Sequence, residues 1–419
     1  MLTNKGLAVL ALGGVTYLAG WMFGSEALYP VGVGLVIAVA AAAVWVRFLT
    51  HPSHLERDLA GRSHVDGDDV PVTLAVRVEG LVPPAALMVR ETVGELAQND
   101  VLLARRDGSF RGSYTIKGVR RGRYGISPAL VSVEDPFGFA RHETEQAVAG
   151  ALIVYPRLVP LDGLFSDVGM RLTDGRRMLL RRQSGFDLHS VREHEPGESL
   201  RRVHWPTSAR RGELMVKELE DAPRDESLVV LDANGSSLVG EGRDTTFELA
   251  LRAAGSLVRA QAARGRRAGL LINDATRSYQ AVHSMEGDWS LALELLAFAQ
   301  ADGHHPVEAL LVDGAGAAAQ AVEVTVVTWT LTPRLAERLL RRAGGRGGAS
   351  LVYVDPTSFT GASLRTPGVA EARAQLRRLT GAGLPVATVR SGDDLAKELS
   401  FAVPDARDAR QAGEAAAHA

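Results

Sequence analysis

Residues Ser227–Ser237, "SLVVLDANGSS", indicate the fold class of the second half of the chain. A short apolar run ends in Asp232 and is followed by small residues, which is the pattern of a buried strand and its turn. Beyond it, apolar runs alternate with segments of helical period, the first at residues 246–263 with a stripe of Leu249, Ala253, Leu257 and Ala260. This alternation predicts an α/β domain at residues 227–403, with a mostly parallel sheet covered on both faces.

Upstream of this stretch, residues 70–156 have a period of two. In "VPVTLAVRVEG" apolar residues at every second position alternate with other residues, which predicts a half-buried strand. Similar short runs follow, separated by turn residues such as Asp107-Gly108. The pattern predicts an antiparallel β-sandwich at residues 55–160, and no cluster of titratable groups in it suggests chemistry.

Two apolar segments lie near the start of the sequence, at residues 6–23 and 27–46. Each is long enough to cross a hydrocarbon core of about 30 Å as a helix, and only Gly24-Ser25-Glu26 separates them. They predict a transmembrane helical hairpin at residues 1–50. Five small residues would let the two backbones approach closely: Gly13, Gly14, Gly20, Gly32 and Gly34.

Basic residues at the outer ends of the hairpin predict its orientation. Lys5 precedes the first segment and Arg47 and Arg57 follow the second, whereas the turn holds only Glu26. The positive-inside rule therefore predicts a two-span protein of the inner (plasma) membrane with cytoplasmic soluble domains. The alternative is a cleaved signal peptide over the first segment. The second segment would then stop transfer, and the later residues would still be cytoplasmic.

Composition excludes several classes of function. The chain has 47 lysines and arginines against 49 aspartates and glutamates, so it lacks the positive charge typical of nucleic-acid-binding proteins. It has no cysteine, and can therefore form neither disulfides nor thiolate metal sites. Residues 404–419, rich in alanine and charge, predict a disordered tail.

An arginine-rich connecting segment at residues 161–226 contains "SVREHEPGESLRRVHWPTSAR". His189, Glu193 and His194 in it follow the spacing H-x-x-x-E-H, which matches neither the H-E-x-x-H zinc motif nor its inverted form. A structural or surface role is therefore favoured over a metal site.

The carboxylates of this segment also have a structural interpretation. Asp187, Glu193 and Glu198 are candidates for paired acid–base groups, but the interleaved arginines favour a salt-bridge network that keeps them ionised. The mixed charges and the single nearby aromatic, Trp205, argue against a nucleic-acid surface. We expect Trp205 to anchor the segment.

The loop after the first strand of the α/β domain resembles the metal loop of von Willebrand factor A domains. In that family an Asp-x-Ser-x-Ser loop holds a divalent cation, and here Asp232, Asn234 and Ser236 fall on the pattern, with asparagine in place of the first serine. The resemblance implies a von Willebrand A-like, Rossmann-like fold and a degenerate site for Mg²⁺ or another divalent cation. Thr328–Thr330 stand where the family usually has an aspartate, and the alternative is that Asp232 closes the turn without metal.

Residues 184–220 resemble the signature of the bacterial "domain of unknown function 58" family. That signature runs roughly as G-x-[DE], R-E-Y-x-P-G-[DE]-x-x-R-x-[IV]-[DHN]-W, S-A-R and V-[KR]-E. The principal residues on the pattern are Gly185, Asp187, Arg192, Glu193, Pro196, Gly197, Glu198, Arg201, Trp205, Ser208, Arg210, Lys217 and Glu218. His194 replaces the commoner aromatic residue.

The resemblance implies a function without implying a reaction. Members of the family combine a membrane hairpin, a β-domain and a von Willebrand A-like domain, and are encoded beside a MoxR-type AAA+ ATPase and often a transglutaminase-like membrane protein. We therefore expect a non-enzymatic, membrane-anchored adaptor for that ATPase, with no cofactor and no nucleic-acid partner. The alternatives are a metal-dependent hydrolase centred on Asp232, His189 and His194, and a cell-envelope scaffold that recruits wall or division proteins.

Overall fold

The computed structural model describes residues 1–49, 51–59, 61, 63–79, 84, 86–147, 150–166, 188–193, 205–219, 227–311, 317–345, 347–360 and 368–400. The chain divides into two compact units, residues 1–157 and residues 158–419. The predicted tail at 404–419 lies outside the described residues.

Two antiparallel helices, α1 (Asn4–Phe23) and α2 (Leu28–Val44), open the first unit, and α2 continues as a π-helical turn, Trp45–Leu49. The predicted hairpin is confirmed, and both helices are long and apolar enough to cross a membrane. The hydroxyl of Thr3 caps α1 by accepting the Gly6 N–H at 3.1 Å. Gly24 ends α1 in the left-handed conformation, with φ 63°, which favours glycine.

The glycines of the hairpin differ in what they contact. A Cβ on Gly32 would lie 2.8 Å from the Gly13 carbonyl oxygen, and one on Gly13 would lie 3.0 Å from that of Gly32. The helices therefore cross closely at this pair, in agreement with the prediction. Gly14 and Gly34 face open space instead, so they do not contribute to the approach.

The rest of the first unit is one curled, mixed sheet of ten strands. These are β1 (His51–Leu59), β2 (His64–Val65), β3 (Val70–Glu79), β4 (Ala86–Val93), β5 (Ala97–Arg106), β6 (Ser109–Ile116), β7 (Gly122–Ile126), β8 (Ala129–Glu134), β9 (Arg141–Gln146) and β10 (Gly150–Tyr155). All neighbours pair antiparallel except β10 and β2, which are parallel. In β3, Val70, Val72, Leu74 and Val76 are buried as predicted, and Val78 is half-buried.

The predicted sandwich of two separate sheets needs correction. The long strand β5 pairs with β4 through Ala97–Leu103 and with β6 through Ala104–Arg106, so it joins the two halves into a continuous sheet. Strand β1 was not predicted, because its sequence, "HPSHLERDL", has no apolar period; among its residues with described burial only Leu55 is buried.

The helical hairpin is bonded to one turn of this sheet. The Thr3 N–H donates to the Phe139 carbonyl at 3.0 Å, and the Thr3 hydroxyl donates to the Gly138 carbonyl at 2.6 Å. Asp135 holds that turn by accepting the N–H groups of Phe137 and Ala140, at 2.9 and 2.6 Å. Hairpin and sheet thus belong to one compact unit.

The second unit contains a mostly parallel sheet. Its described strands are β11 (Leu188–Glu193), β12 (Met215–Leu219), β13 (Ser227–Asp232), β14 (Gly240–Glu241), β15 (Asp244–Thr245), β16 (Ala268–Asn273), β17 (Tyr279–Val282), β18 (Glu323–Thr328), β19 (Gly348–Val354) and β20 (Val386–Val389). The main sheet has the order β17-β16-β13-β18-β19-β20, and only the edge strand β17 runs antiparallel. Strands β11 and β12 pair separately, as do β14 and β15.

Helices cover both faces of the main sheet. The described helices are α3 (Trp205–Arg211), α4 (Thr246–Ala263), α5 (Asp288–Phe298), α6 (Ala317–Gln320), α7 (Pro333–Gly344), α8 (Val369–Gly381) and α9 (Leu395–Leu399), with 3₁₀ turns at Gly235–Ser237, Val307–Leu311 and Pro356–Ser358. Helices α4, α5 and α9 contribute to one hydrophobic core and α7 and α8 to another. Strands β13, β16 and β18 are buried along their whole length because both faces are covered.

Candidate functional site

The sheet order places a polar cluster where the chain reverses its direction of winding. After β13 the chain forms β16 on one side, and β18 then pairs on the other side of β13. In open parallel sheets, ligands bind at the carboxyl ends of the strands beside such a switch point. Asp232 ends β13 there, and Thr328 ends β18.

Asp232 is held inside this cluster. Asp232 is buried, with only 2% of its surface exposed. The Thr328 hydroxyl donates to Asp232 Oδ2 at 2.6 Å, and the Asn234 backbone N–H donates to Oδ1 at 3.2 Å. In von Willebrand A domains an aspartate usually stands near the position of Thr328. This cluster therefore has a neutral hydroxyl donor where that family has a second negative charge.

Burial raises the pKa of the Asp232 carboxyl because the charged form is poorly solvated there. Hydrogen bonds from Thr328, the Asn234 backbone and Asn273 oppose this rise in pKa, and the charge of Glu308 adds to it. The site therefore favours a proton, or another positive charge, on this carboxyl.

Residues far from Asp232 in sequence pack around the same cluster. The Asn273 amide donates to the His305 carbonyl at 2.7 Å, and the Gly303 N–H donates to the Ala233 carbonyl at 2.9 Å. A Cβ on Gly303 would lie 2.0 Å from the Asn273 carbonyl oxygen, so only glycine fits this approach. Asn273 Oδ1 is buried without a hydrogen-bond partner among the described residues. Sequence reasoning missed Asn273 and Gly303; the only signal was an asparagine directly after an apolar run.

The three predicted cation ligands do not all face one point through free oxygens. Asn234 Oδ1 accepts from the Ser236 N–H at 3.0 Å and from its hydroxyl at 2.7 Å, which starts the 3₁₀ turn Gly235–Ser237. A cation would have to compete with these donors and with Thr328 for the same oxygens. Within the described ranges, no group of three or more His, Cys, Asp or Glu residues is placed to hold a metal. Oxygen atoms of this type are the ligands that hard cations such as Mg²⁺ prefer. The cation site stays a prediction.

The signature motif forms a strand pair and a short helix in the second unit. Arg192 lies opposite Val216 and Glu193 opposite Met215 across β11 and β12, whose other pairs bring Lys217 and Glu218 opposite Val191 and Ser190. The predicted signature residues Gly185, Asp187, Pro196, Gly197, Glu198 and Arg201, with His194, lie outside the described residues.

Helix α3 is attached to β12 by a serine, not by the tryptophan. The buried Ser208 hydroxyl accepts the Met215 N–H at 2.9 Å. Trp205 is 62% exposed, so the expectation that it anchors the segment is wrong for the described residues. Arg210 and Arg211 are exposed too, and neither forms an ion pair with a described residue. The expected salt-bridge network therefore does not include them there.

Three solved structures show distant likenesses to this chain. A conjugative transposon lipoprotein from Bacteroides eggerthii shares 17% identity over 23% of this chain and 93% of its own, with a TM-score of 0.16. Cwp6 from Clostridium difficile shares 9% sequence identity over 81% of this chain and 38% of its own, with a TM-score of 0.15. A β-glucuronidase from Bifidobacterium dentium, complexed with coumarin-3-O-glucuronide, shares 11% sequence identity over 81% of this chain and 53% of its own, with a TM-score of 0.20. The chain thus covers only about half or less of the last two proteins, and these TM-scores are too low to bear on its fold or function.

Comparison of the sequence with family models is informative. No curated protein matches the chain. Residues 190–355, from the signature strand β11 to the end of β19, match the model described as "Protein of unknown function DUF58". Together with the signature residues on β11, α3 and β12, this match identifies residues 190–355 as a DUF58 region.

Proposed function

We propose that this protein is a membrane-anchored adaptor or scaffold of the inner membrane, which works on the cytoplasmic side with a MoxR-type AAA+ ATPase. It would serve chaperone-like assembly, maturation or envelope stress functions, and a transglutaminase-like membrane protein is a further candidate partner. The observation that carries the proposal is helix α3, which lies in the family signature and exposes Trp205, Arg210 and Arg211, and neither arginine forms an ion pair with a described residue. Exposed Trp and Arg side chains are typical of binding hot spots.

The membrane anchor in this proposal rests on the hairpin. Lys5 and Arg47 lie at its open end, which is also the end bonded to the β-sheet through Thr3. Two apolar helices of this length, with basic residues at one end, favour a cytoplasmic β-sheet beneath the bilayer. Close contact of Gly13 and Gly32 is typical of helix pairs in lipid.

The α/β unit is proposed to be von Willebrand A-like. The support is its mostly parallel sheet with helices on both faces and the "DANGS" loop at the carboxyl end of the central strand β13. Because the Asp232 oxygens are engaged by Thr328 and Asn234, we assign this loop a structural role ahead of catalysis. The hydrolase alternative is favoured by no described residue beyond Asp232 itself.

The partner proposal is tested by capture from gently solubilised membranes of the cells that encode the chain. Tagged wild-type protein is purified with ATP, with ADP and without nucleotide, and co-purifying proteins are identified by mass spectrometry. We expect an AAA+ ATPase with the wild type. We also expect Arg210→Glu/Arg211→Glu to reduce its yield about tenfold, since two interface charges are reversed.

The matched control reverses two arginines elsewhere on the same unit. Arg377 and Arg378 are exposed on α8, and Arg377→Glu/Arg378→Glu should leave the yield unchanged. The proposal fails if wild-type protein recovers no AAA+ ATPase under any nucleotide condition. Recovery of cell-wall or division proteins instead would support the envelope-scaffold alternative.

A further inference from the structure

A cleft of about 330 Å³ opens at the foot of the helical hairpin, within the first unit. Its apolar lining comes from Leu2 and from the end of α2 with the following turn, at Ala43, Val44, Val46 and Phe48. Strand β9 closes the other side with Arg141 and His142. The volume falls within the range of ordinary ligand pockets, which is about 300–1,000 Å³.

The floor of the cleft is packed, but its rim is exposed and apolar. Val46 and Ala140 are buried in a small cluster of their own, and the half-buried Leu2 and Phe139 pack against it. Phe48, by contrast, is 69% exposed at the rim. Phe137 is 72% exposed on the adjacent turn and stacks on Phe139 with ring centroids 5.6 Å apart. Large aromatic side chains left in contact with water at one edge mark a surface that something apolar covers.

Hydrogen bonds between Thr3 and the turn at Gly138 and Phe139 fix where Phe137 and Phe139 lie along the helix axes. Thr3, the capping residue of α1, binds Gly138 and Phe139, so the Phe137 turn lies beside the first turn of a membrane-length helix. In a spanning hairpin this is the level of the headgroups, where aromatic rings are favoured.

The rim of the cleft also carries a guanidinium that forms no ion pair with any described residue. Arg141 pairs with Glu134 and lies 3.7 Å from Glu143, so its charge is compensated. Arg47 is exposed, and no described residue forms an ion pair with it. An apolar cleft with a single uncompensated guanidinium at its mouth matches a molecule with a hydrocarbon tail and an anionic head.

We propose that this cleft binds an anionic phospholipid of the cytoplasmic leaflet, with an acyl chain along Val44 and Phe48 and its phosphate on Arg47. The proposal rests on the membrane anchor proposed above and adds a lipid site to it. A bound lipid would fill the space between hairpin and sheet and so stabilise the orientation of the soluble part at the membrane.

Native mass spectrometry of the full-length protein tests this. Detergent-solubilised protein is incubated with equal amounts of phosphatidylglycerol and phosphatidylcholine, and retained lipid is counted. We expect one phosphatidylglycerol to be retained about fivefold over phosphatidylcholine, the preference that one basic residue gives near an anionic surface. Arg47→Gln should abolish the preference, and Arg47→Lys should retain it.

The control is Arg105→Gln, an exposed arginine on β5 remote from the lining of the cleft, which should keep the wild-type preference. Equal retention of both lipids by the wild type, or an equal loss in the Arg47 and Arg105 variants, would overturn the lipid site. So would a dimer that excludes lipid, because a second copy would then occupy the cleft. Extraction of membranes with alkaline carbonate separates the two proposals: release of the protein overturns the anchor itself, whereas resistance without lipid preference overturns only the site.

Discussion

At the scale of single residues, Asp232 shows how one position is read differently by sequence and structure. By sequence it is the first residue of a cation loop. In the fold it is a buried carboxyl that accepts hydrogen bonds from Thr328 and the Asn234 backbone. Thr328 follows Asp232 by 96 residues, so no local pattern could predict that contact.

The raised pKa of Asp232 predicts how its substitution depends on pH. A carboxyl with a folded pKa above its unfolded value of about 3.9 binds more protons when folded, so its contribution to stability is lost as pH rises above that value. Asp232→Asn removes this titration. We expect the stability of Asp232→Asn relative to wild type to increase as the pH rises above about 3.9.

The measurement is hydrogen exchange of peptides containing β13, with a chelator present and then with excess Mg²⁺. Glu371→Gln, an exposed change in the first turn of α8, is the control and should show no such trend. A relative stability that falls with pH in the chelator would contradict the prediction. Protection of the wild type by Mg²⁺ alone would support the cation site.

A second residue-scale cluster lies in the curled sheet. Glu91 is fully buried, where it contacts Arg57 and accepts a hydrogen bond from Tyr114. Burial raises the pKa of Tyr114, and so does its bond to Glu91. Since the folded pKa exceeds the unfolded value of about 10, the stability from this tyrosine is present below pH 10 and lost at higher pH.

Tyr114→Phe should therefore destabilise the first unit by about 1–2 kcal/mol below pH 9, because a hydrogen bond to a charged group is lost. The deficit should shrink above pH 10, because the contribution of Tyr114 is lost there and the variant never had it. Pulse proteolysis in urea with an alkaline protease, read by fragments from residues 51–157, measures this. Tyr155→Phe on β10 is the control; an unchanged deficit at high pH would refute the assignment to Tyr114.

At the scale of elements, the hairpin depends on one glycine pair. Gly32→Ala places a Cβ 2.8 Å from the Gly13 carbonyl oxygen and 2.9 Å from the Tyr17 nitrogen, so the helices must separate. We expect a loss of about 1–3 kcal/mol, as for other overpacked contacts. Thermal unfolding in detergent measures it.

The chain supplies a control for this variant on the same helix. Gly34→Ala meets nothing within 4 Å and should leave the midpoint unchanged or raise it slightly. Equal midpoints for the two variants would show that the close helix crossing does not stabilise the hairpin.

At the scale of the whole molecule, the first unit combines an apolar helical hairpin and a β-sheet, which the sequence predicts as two domains. Their connection is the Thr3 capping site, which bonds to the Gly138 and Phe139 carbonyls. Gly6 makes room for it, since a Cβ there would lie 2.1 Å from the Phe139 carbonyl oxygen.

Gly6→Ala should therefore loosen the hairpin from the sheet while leaving each folded. We expect hydrogen exchange to rise at least about tenfold at residues 135–141, corresponding to about 1.4 kcal/mol, and not in the middle of β3 and β4. Gly14→Ala on the same helix meets nothing within 4 Å and is the control. Unchanged exchange in Gly6→Ala would mean that the turn is held by the sheet alone.

Local sequence patterns were sufficient to predict the helical hairpin, the period-two strands and the alternating strands and helices of the α/β domain, but not β1, β11, α3 or β12. Helix α4 was predicted with the same ends as observed, because its apolar stripe and the capping threonine Thr245 are local features. The hairpin, the period-two strands and the family signature were likewise visible, since each depends on residues near one another along the chain.

Contacts between residues far apart in sequence depend on packing of the whole chain. This packing joined the strands of the first unit through β5 into one curled sheet, placed Thr328 and Asn273 around Asp232, and left Trp205 exposed. The hydrogen bonds between Thr3 and the turn at Gly138 and Phe139 join segments about 135 residues apart, and the cleft lies beside them. Periodicity specifies which face of an element is buried, but the partner of that face is chosen by packing of the whole chain.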